Sequence, residues 1–392
     1  MNKDFDLKFS FWNYVPLSPS SKEMVREWKT LGMNMAMSHV YDPANCKKED
    51  MIALLDECQK EGIQVLVYDL RTSFHTFIQM GEEAFKEGVK EAAEDFGHHP
   101  AVYGFCLGDE PNFEQVDAFI QTSLIVQAVM PWLTPFGNLI PYFGDKETQA
   151  LLGRSEEFYR SLVNRIVKEG RMPSLGYDHY VQCYDEDMDQ KKGIKEFLYG
   201  LRQYGKIARE NDIPLYVSLL SVRHWFYREP TFDDFRWQLS MSLAHGARGF
   251  FWFFLQEGVL EHGFGEPPFA GPNHRKTPLY DRLMGAQERF QRETLPLFNN
   301  LRYEDCLYFG DGMERSVKMM GMEIKAERNQ LSVLSIFTAK DGQMVAMLVN
   351  GDQRKANLYR VKKQDGSQMD CYLLPGELRL FHLLEKGGLS NE

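Results

Sequence analysis

AVYGFCLGDEPNFEQVDAFIQTSLIVQAV, residues 101–129, holds one complete structural unit. It runs unbroken and apolar to Leu107, stops on Gly108-Asp109-Glu110-Pro111, and resumes from Phe113 as a helical pattern to about Val129. A continuous apolar strand followed at once by a helix is what a parallel strand buried on both faces requires. The same unit recurs on either side. Upstream, LKFSFWNYV (7–15), MNMAMSHV (33–40) and IQVLVYDL (63–70) each precede a helical stretch. Downstream, LTPFGNLIP (133–141), PSLGYDHY (173–180), PLYVSLLSV (214–222) and RGFFWFFLQ (248–256) do the same. Eight such units in series predict a (β/α)8 TIM barrel. A doubly wound sheet is the competing arrangement, but its phosphate turn needs glycine, and NYVPLSPSS (13–21) has none.

Past residue 301 the pattern shortens to strands joined by polar turns such as KDGQ (340–343) and NGDQ (350–353). The expected organisation is a barrel over 1–301, a small antiparallel, sandwich-like β domain over 302–388, and a tail over 389–392.

The chain of 392 residues carries a net charge of -11, which disfavours a polyanionic nucleic-acid partner. It has no polybasic membrane anchor and no apolar run of the roughly 18 residues that spanning needs. MNKDFDLKFSFW (1–12) lacks a signal-peptide pattern, so the expected location is cytoplasmic, or periplasmic or secreted if a leader has been removed. The 6 cysteines show no C-x2-C spacing, so buried free thiols are expected and neither a metal nor another cofactor.

Barrel active sites lie at the C-terminal strand ends. There the sequence places Trp12, Asn13 and Tyr14, then His39, Asp69, Asp109 and Glu110, Asn138, Asp178 to Tyr180, His224 and Trp225, and Trp252. Carboxylates and amides suit hydroxyl groups, and aromatic plates suit the apolar faces of sugar rings. Each also has a plainer reading. Acids at 109 and 110 suit a helix N-terminus, Trp12 and Trp252 suit barrel packing, and Arg223 and His224 suit a solvated loop.

GDEP (108–111) resembles the fourth-strand motif of clan-A (β/α)8 glycoside hydrolases, in which the Glu is the general acid/base. FGNLIP (136–141), YDHY (177–180), and YREPTFDDFRWQLSMSLAHGARGFFWF (227–253) resemble a group of bacterial glycoside-hydrolase-like barrel proteins. So do VAMLVNGD (345–352) and LLPGELRLF (373–381). The resemblance implies hydrolysis of O-glycosidic bonds in an oligo- or polysaccharide, with Glu110 as general acid/base. One departure stands out. The clan's nucleophile is a Glu ending strand seven, and PLYVSLLSV has no acid.

Asp178 is the leading replacement, Glu257 the next, and Glu229 a third whose place before Pro230 and Thr231 suits a structural role. Strands four and six are two spacings apart, ~9–10 Å, which fits an inverting pair better than a retaining one. His39, Asp69, Asp109, Asn138 and Tyr180 are expected to hold hydroxyls, and Trp12, Trp225 and Trp252 to serve as platforms. The alternatives are a non-catalytic carbohydrate-binding barrel and a barrel lyase using Asp178 and His179. The sugar, the linkage and the oligomeric state are not legible.

Overall fold

The computed structural model describes residues 7–141, 156–256, 263–298, 300–319, 321–363 and 365–382. Strands β1 (Lys8–Phe11), β2 (Met35–Met37), β3 (Gln64–Val67), β4 (Val102–Asp109), β5 (Thr134–Leu139), β6 (Leu175–Asp178), β7 (Leu215–Leu220) and β8 (Ala247–Phe253) form one parallel sheet. Its order is β1-β8-β7-β6-β5-β4-β3-β2, so the first strand pairs with the last. Helices α1 (Val25–Thr30), α2 (Lys48–Glu61), α3 (Phe74–Met80), α4 (Glu82–Phe96), α5 (Val116–Val129), α6 (Glu156–Glu169), α7 (Gln190–Glu210), α8 (Phe232–Ala244) and α9 (Pro278–Phe298) alternate with the strands. This is the expected (β/α)8 barrel.

The seam between β1 and β2 is closed by Asn34. Its Oδ1 accepts the Phe9 N–H at 2.8 Å, its Nδ2 donates to the Leu7 carbonyl at 2.9 Å, and its backbone N–H reaches the Phe9 carbonyl at 3.3 Å. A side-chain amide thus substitutes for ladder bonds where the two strands part. Asn34→Ala removes both side-chain bonds and is expected to lower unfolding free energy by about 1–3 kcal/mol. The check is a lower urea midpoint at unchanged slope.

The barrel interior is packed. Trp12, Met35, Met37, Leu66, Cys106, Phe136, Tyr216 and Phe251 form its buried centre, with Phe136 and Phe251 stacked at 4.9 Å. Cys106 is a buried free thiol, as the spacing argument expects.

Beyond a short pair, β9 (Phe269–Ala270) and β10 (Arg275–Lys276), the chain forms β11 (Arg302–Phe309), β12 (Ser316–Met319), β13 (Met322–Ala326), β14 (Ser332–Thr338), β15 (Met344–Asn350), β16 (Asn357–Lys362), β17 (Gln368–Leu373) and β18 (Leu378–His382). They make two antiparallel sheets, β11-β14-β15-β18 and β12-β13-β16-β17. Alternate residues of both sheets, among them Leu334, Leu348, Ile324, Tyr359 and Val361, share one buried cluster, which makes a sandwich.

The described chain divides into two compact units. One holds Leu7–Glu229 and Arg248–Met284; the other holds Pro230–Ala247 together with the chain from Gly285 on. Helix α8 therefore groups with the sandwich. Within that unit Trp237 Nε1 donates to the Gly351 carbonyl at 2.9 Å and Arg236 Nε to the Pro375 carbonyl at 2.6 Å.

Candidate active site

The end of β4 is bent by local geometry. Pairing with β5 slips between Cys106 and Gly108, so Leu107 is bulged and Asp109 comes to face Asn138. A bulge of this kind re-aims the side chains beyond it. Gly108 sits at φ +127, and a Cβ there would lie 2.6 Å from the Phe74 ring. Glu110 follows at φ +46, a left-handed conformation uncommon outside glycine and found preferentially at functional sites. Its N–H is held by the Asn138 carbonyl at 3.0 Å. Gly108→Ala meets both obstacles, and a loss of about 1–3 kcal/mol in unfolding free energy is expected. Thermal melts of the two proteins give the comparison.

Neither acid caps the following helix. Asn112 does, accepting from the N–H groups of Glu114 and Gln115 at 3.0 and 3.1 Å while Gln115 Oε1 receives the Asn112 N–H. This capping box leaves Asp109 and Glu110 free to face the barrel mouth.

There they meet Asp178, the last residue of β6. Asn138, buried on β5, bridges the group: its Nδ2 donates to Asp109 Oδ1 and to Asp178 Oδ1, both at 2.9 Å. Tyr14, beyond β1, donates its hydroxyl to Asp109 Oδ2 at 2.9 Å. Glu110 and Asp178 line the same cavity, near enough for each to raise or lower the other's titration. Neighbouring carboxyls of this kind resist ionising together.

All three acids are pushed up from their ordinary range. Burial is the main cause for each. For Asp178 the charges of Glu110 and Asp109 add to it, and for Glu110 the charge of Asp109 does. Of the two, Asp178 is pushed up the further. Glu110 is the member open to solvent, although protein rings it closely enough to raise its pKa.

These acids line a cavity of about 730 Å³ whose wall includes Tyr14, Tyr180, His224, Trp225, Tyr227, Phe253, Phe254, Gln256 and Phe264. Trp225 is 61% exposed at the rim. Tyr180 lies 5.3 Å from Phe253, ring to ring, and its buried hydroxyl has no hydrogen-bond partner. His224 is buried rather than solvated as expected. It stacks on Phe264 at 5.1 Å, and burial pushes it down to about 4.

Several expected site residues lie elsewhere. Trp252 is fully buried: Phe251 and Phe253 take the inner face of β8, so Trp252 shares the outer face with Phe250. Trp12, 1% exposed, is barrel core. It donates to Ser218 Oγ at 2.7 Å and backs Tyr14, which takes the cavity position instead. Asp69 is clamped by Arg71, with Nη2 at 2.8 Å and Nε at 3.1 Å, and Arg71 reaches on to Asp95. Its oxygens hold a guanidinium instead of a sugar. His39 is buried beneath Gln256, whose amide meets His39 Nε2 at 3.1 Å; burial pushes it down to about 3. Glu229 pairs with Arg282, the structural use its position suggests. Glu257 lies outside the described residues.

The two-strand separation of β4 and β6 is as expected, with β5 between them, and Asn138 on β5 spans it by holding Asp109 and Asp178 with one nitrogen. The sequence places Tyr14 at its strand end without a role, and Phe253 and Phe264 escaped the sequence reading. FFWFF offers no polar residue to fix which face is inner, and Phe264 comes from a loop without periodicity.

The sequence matches no protein-family model and no curated protein. Solved structures do match. A catalytic mutant of a family 42 β-galactosidase from G. stearothermophilus aligns over 96% of this chain and 98% of its own, with TM-score 0.61 and 7% identity. A family 5 glycoside hydrolase from Bacteroides vulgatus aligns over 98% and 87%, with TM-score 0.58 and 11% identity. A β-galactosidase from the psychrophilic Marinomonas ef1 aligns over 72% of this chain and 59% of its own, with TM-score 0.54 and 11% identity. The chain thus spans about three fifths of that last enzyme's length. The likeness is one of fold: a barrel of the kind these glycoside hydrolases are built on.

Proposed function

We propose that the chain is a glycoside hydrolase in which Glu110 gives a proton to the departing sugar oxygen and Asp178 is its partner carboxyl. The observation that carries this reading is the placing of Glu110 and Asp178, both pushed up by burial and by neighbouring charge, in one aromatic-walled cavity at the mouth of the barrel. A general acid must keep its proton near neutral pH, and burial beside like charges does that. Glu110 is the solvent-facing member and the one positioned to deliver it. Asp178, behind it, is the second carboxyl and supplies the negative charge. Trp225 and Tyr227 supply faces for the sugar ring, and Asp109 and Gln256 supply acceptors and donors for its hydroxyls.

Hydrolysis by two carboxyls needs them about 5–5.5 Å apart for retention or about 6.5–9.5 Å for inversion. Catalysis on this reading sets the glycosidic oxygen against Glu110 and the anomeric carbon toward Asp178, and the stereochemical outcome reports which spacing applies.

The absence of an acid from β7 favours a second reading, a carbohydrate-binding barrel without turnover, in which the acids only grip hydroxyls. A panel of oligosaccharides and aryl glycosides decides between them. Release of reducing ends that Glu110→Gln abolishes supports hydrolysis, and the anomer first seen by NMR assigns the stereochemistry. Binding by the unmodified protein with no product from any panel member supports the second reading and overturns the first.

A further inference from the structure

Hydrolysis with paired carboxyls uses one proton and one negative charge, which Glu110 and Asp178 supply. Asp109 is a third acid in the same cavity, and its charge is surplus to that chemistry. Within the described wall it meets only a neutral donor, the Tyr14 hydroxyl, and the positive charge that acts on it, that of His75, comes from α3 outside the wall. The wall's described residues include no Lys or Arg, and burial holds its imidazoles neutral, His179 pushed down to about 3 and His224 to about 4. The aromatic rings around it, Tyr14, Trp225, Tyr227 and Phe253, present negative π-faces, the surface that receives cations. Tyr180 is 6% exposed and lies within electrostatic reach of all three carboxyls, yet its hydroxyl has no partner. An N–H donor entering the cavity would give it one. Among the described residues no group of His, Cys, Asp and Glu is arranged to hold a metal ion.

We infer that the ligand of this cavity carries an ammonium group: an amino sugar with a free amine, set against Asp109 and Tyr180 and boxed by aromatic faces. The inference rests on the sugar-binding reading above and names its substrate class. A neutral hydroxyl could donate to Asp109 but would bring no charge to it, and an N-acetylated amine has lost the charge. Binding is linked to protons. A cation placed among three acids favours their ionised forms, so protons leave as it enters. Facing the acids are Tyr14 beyond β1, His75 on α3, Asn138 on β5, Tyr180 beyond β6 and Tyr227 from the loop after β7.

The test is calorimetric titration of the whole protein with matched methyl glycosides in the gluco, galacto and manno series, each as the 2-amino, 2-hydroxy and 2-acetamido form. The expected result is an amine that binds about 10- to 100-fold tighter than its two counterparts, the span of one to two pKa units of coupling. It should release protons, seen as a buffer-dependent heat, and tighten as pH rises from about 5 to 7. Asp109→Asn should erase the preference; should that variant not fold, the proton release of the unmodified protein still decides. No amine preference in any series, including no binding at all, overturns the inference. So does binding of calcium or magnesium ions alone without one. The two readings fail separately. Cleavage of neutral 4-nitrophenyl glycosides with no amine preference leaves hydrolysis standing and removes the ammonium. Amine binding with no cleavage of any glycoside does the reverse.

Discussion

Glu110→Gln is expected to reduce kcat/KM by about 10²–10⁴-fold on an oligosaccharide, the usual contribution of a positioned general acid. The amide keeps the size and the polar contacts of the side chain but cannot give up a proton to the leaving oxygen. The loss should depend on the leaving group. A 4-nitrophenolate departs without protonation, so an aryl glycoside should lose much less than the oligosaccharide. Binding should survive, because Asp109, Asn138 and the aromatic wall are untouched. The strained conformation at φ +46 accommodates glutamine as it does glutamate, so thermal stability should change little. Equal losses on both substrates would place Glu110 in binding rather than proton transfer.

Asp178→Asn is the second large effect, and it acts in opposite directions on activity and on stability. Activity should fall about 10²-fold or more, since the second carboxyl goes. The pH profile should also simplify. A coupled pair titrates in two macroscopic steps that belong to both groups, and with one carboxyl left only one step remains. Stability should rise. The Asp178 carboxyl is held well above its ordinary value by burial and by the charges of Glu110 and Asp109. Between its unfolded and folded pKa the native state therefore binds more protons than the unfolded chain, and stability drains away as pH rises through that window. Asparagine has no proton to lose. The variant should gain about 0.5–2 kcal/mol at about pH 8, and the gain should vanish below about pH 4, where the wild-type carboxyl is protonated in both states. Denaturant unfolding at the two pH values measures this. A variant less stable at both would mean that the carboxyl is a structural bond rather than a strained functional group.

The barrel was legible because its strands are continuous apolar runs and its helices follow at once; that alternation is set by burial on two faces and needs no distant information. Glu110 and Asp178 were legible because each ends such a run, and strand ends are where a barrel gathers polar groups. What failed was whatever depends on a residue's partner. Asp69 reads as a rim acid until Arg71, two positions on, is seen to close over both its oxygens. His39 reads as a ligand until Gln256, far along the chain, covers it. Trp252 was lost to parity: in an all-aromatic strand nothing marks the inner face, and one residue's shift exchanges Trp252 for Phe253. Asn138, holding Asp109 and Asp178 with one nitrogen, was read as a hydroxyl binder, and its role in drawing the acids together was not visible.

The proposed hydrolysis requires that Glu110 and Asp178 titrate as a coupled pair, and carbon-13 NMR of the side-chain carboxyls across pH observes this directly. The expected result is a pair of coupled signals, one of them titrating well above the ordinary carboxyl range of about 4, with that upper step missing in Asp178→Asn. Both carboxyls titrating independently near about 4 would contradict it.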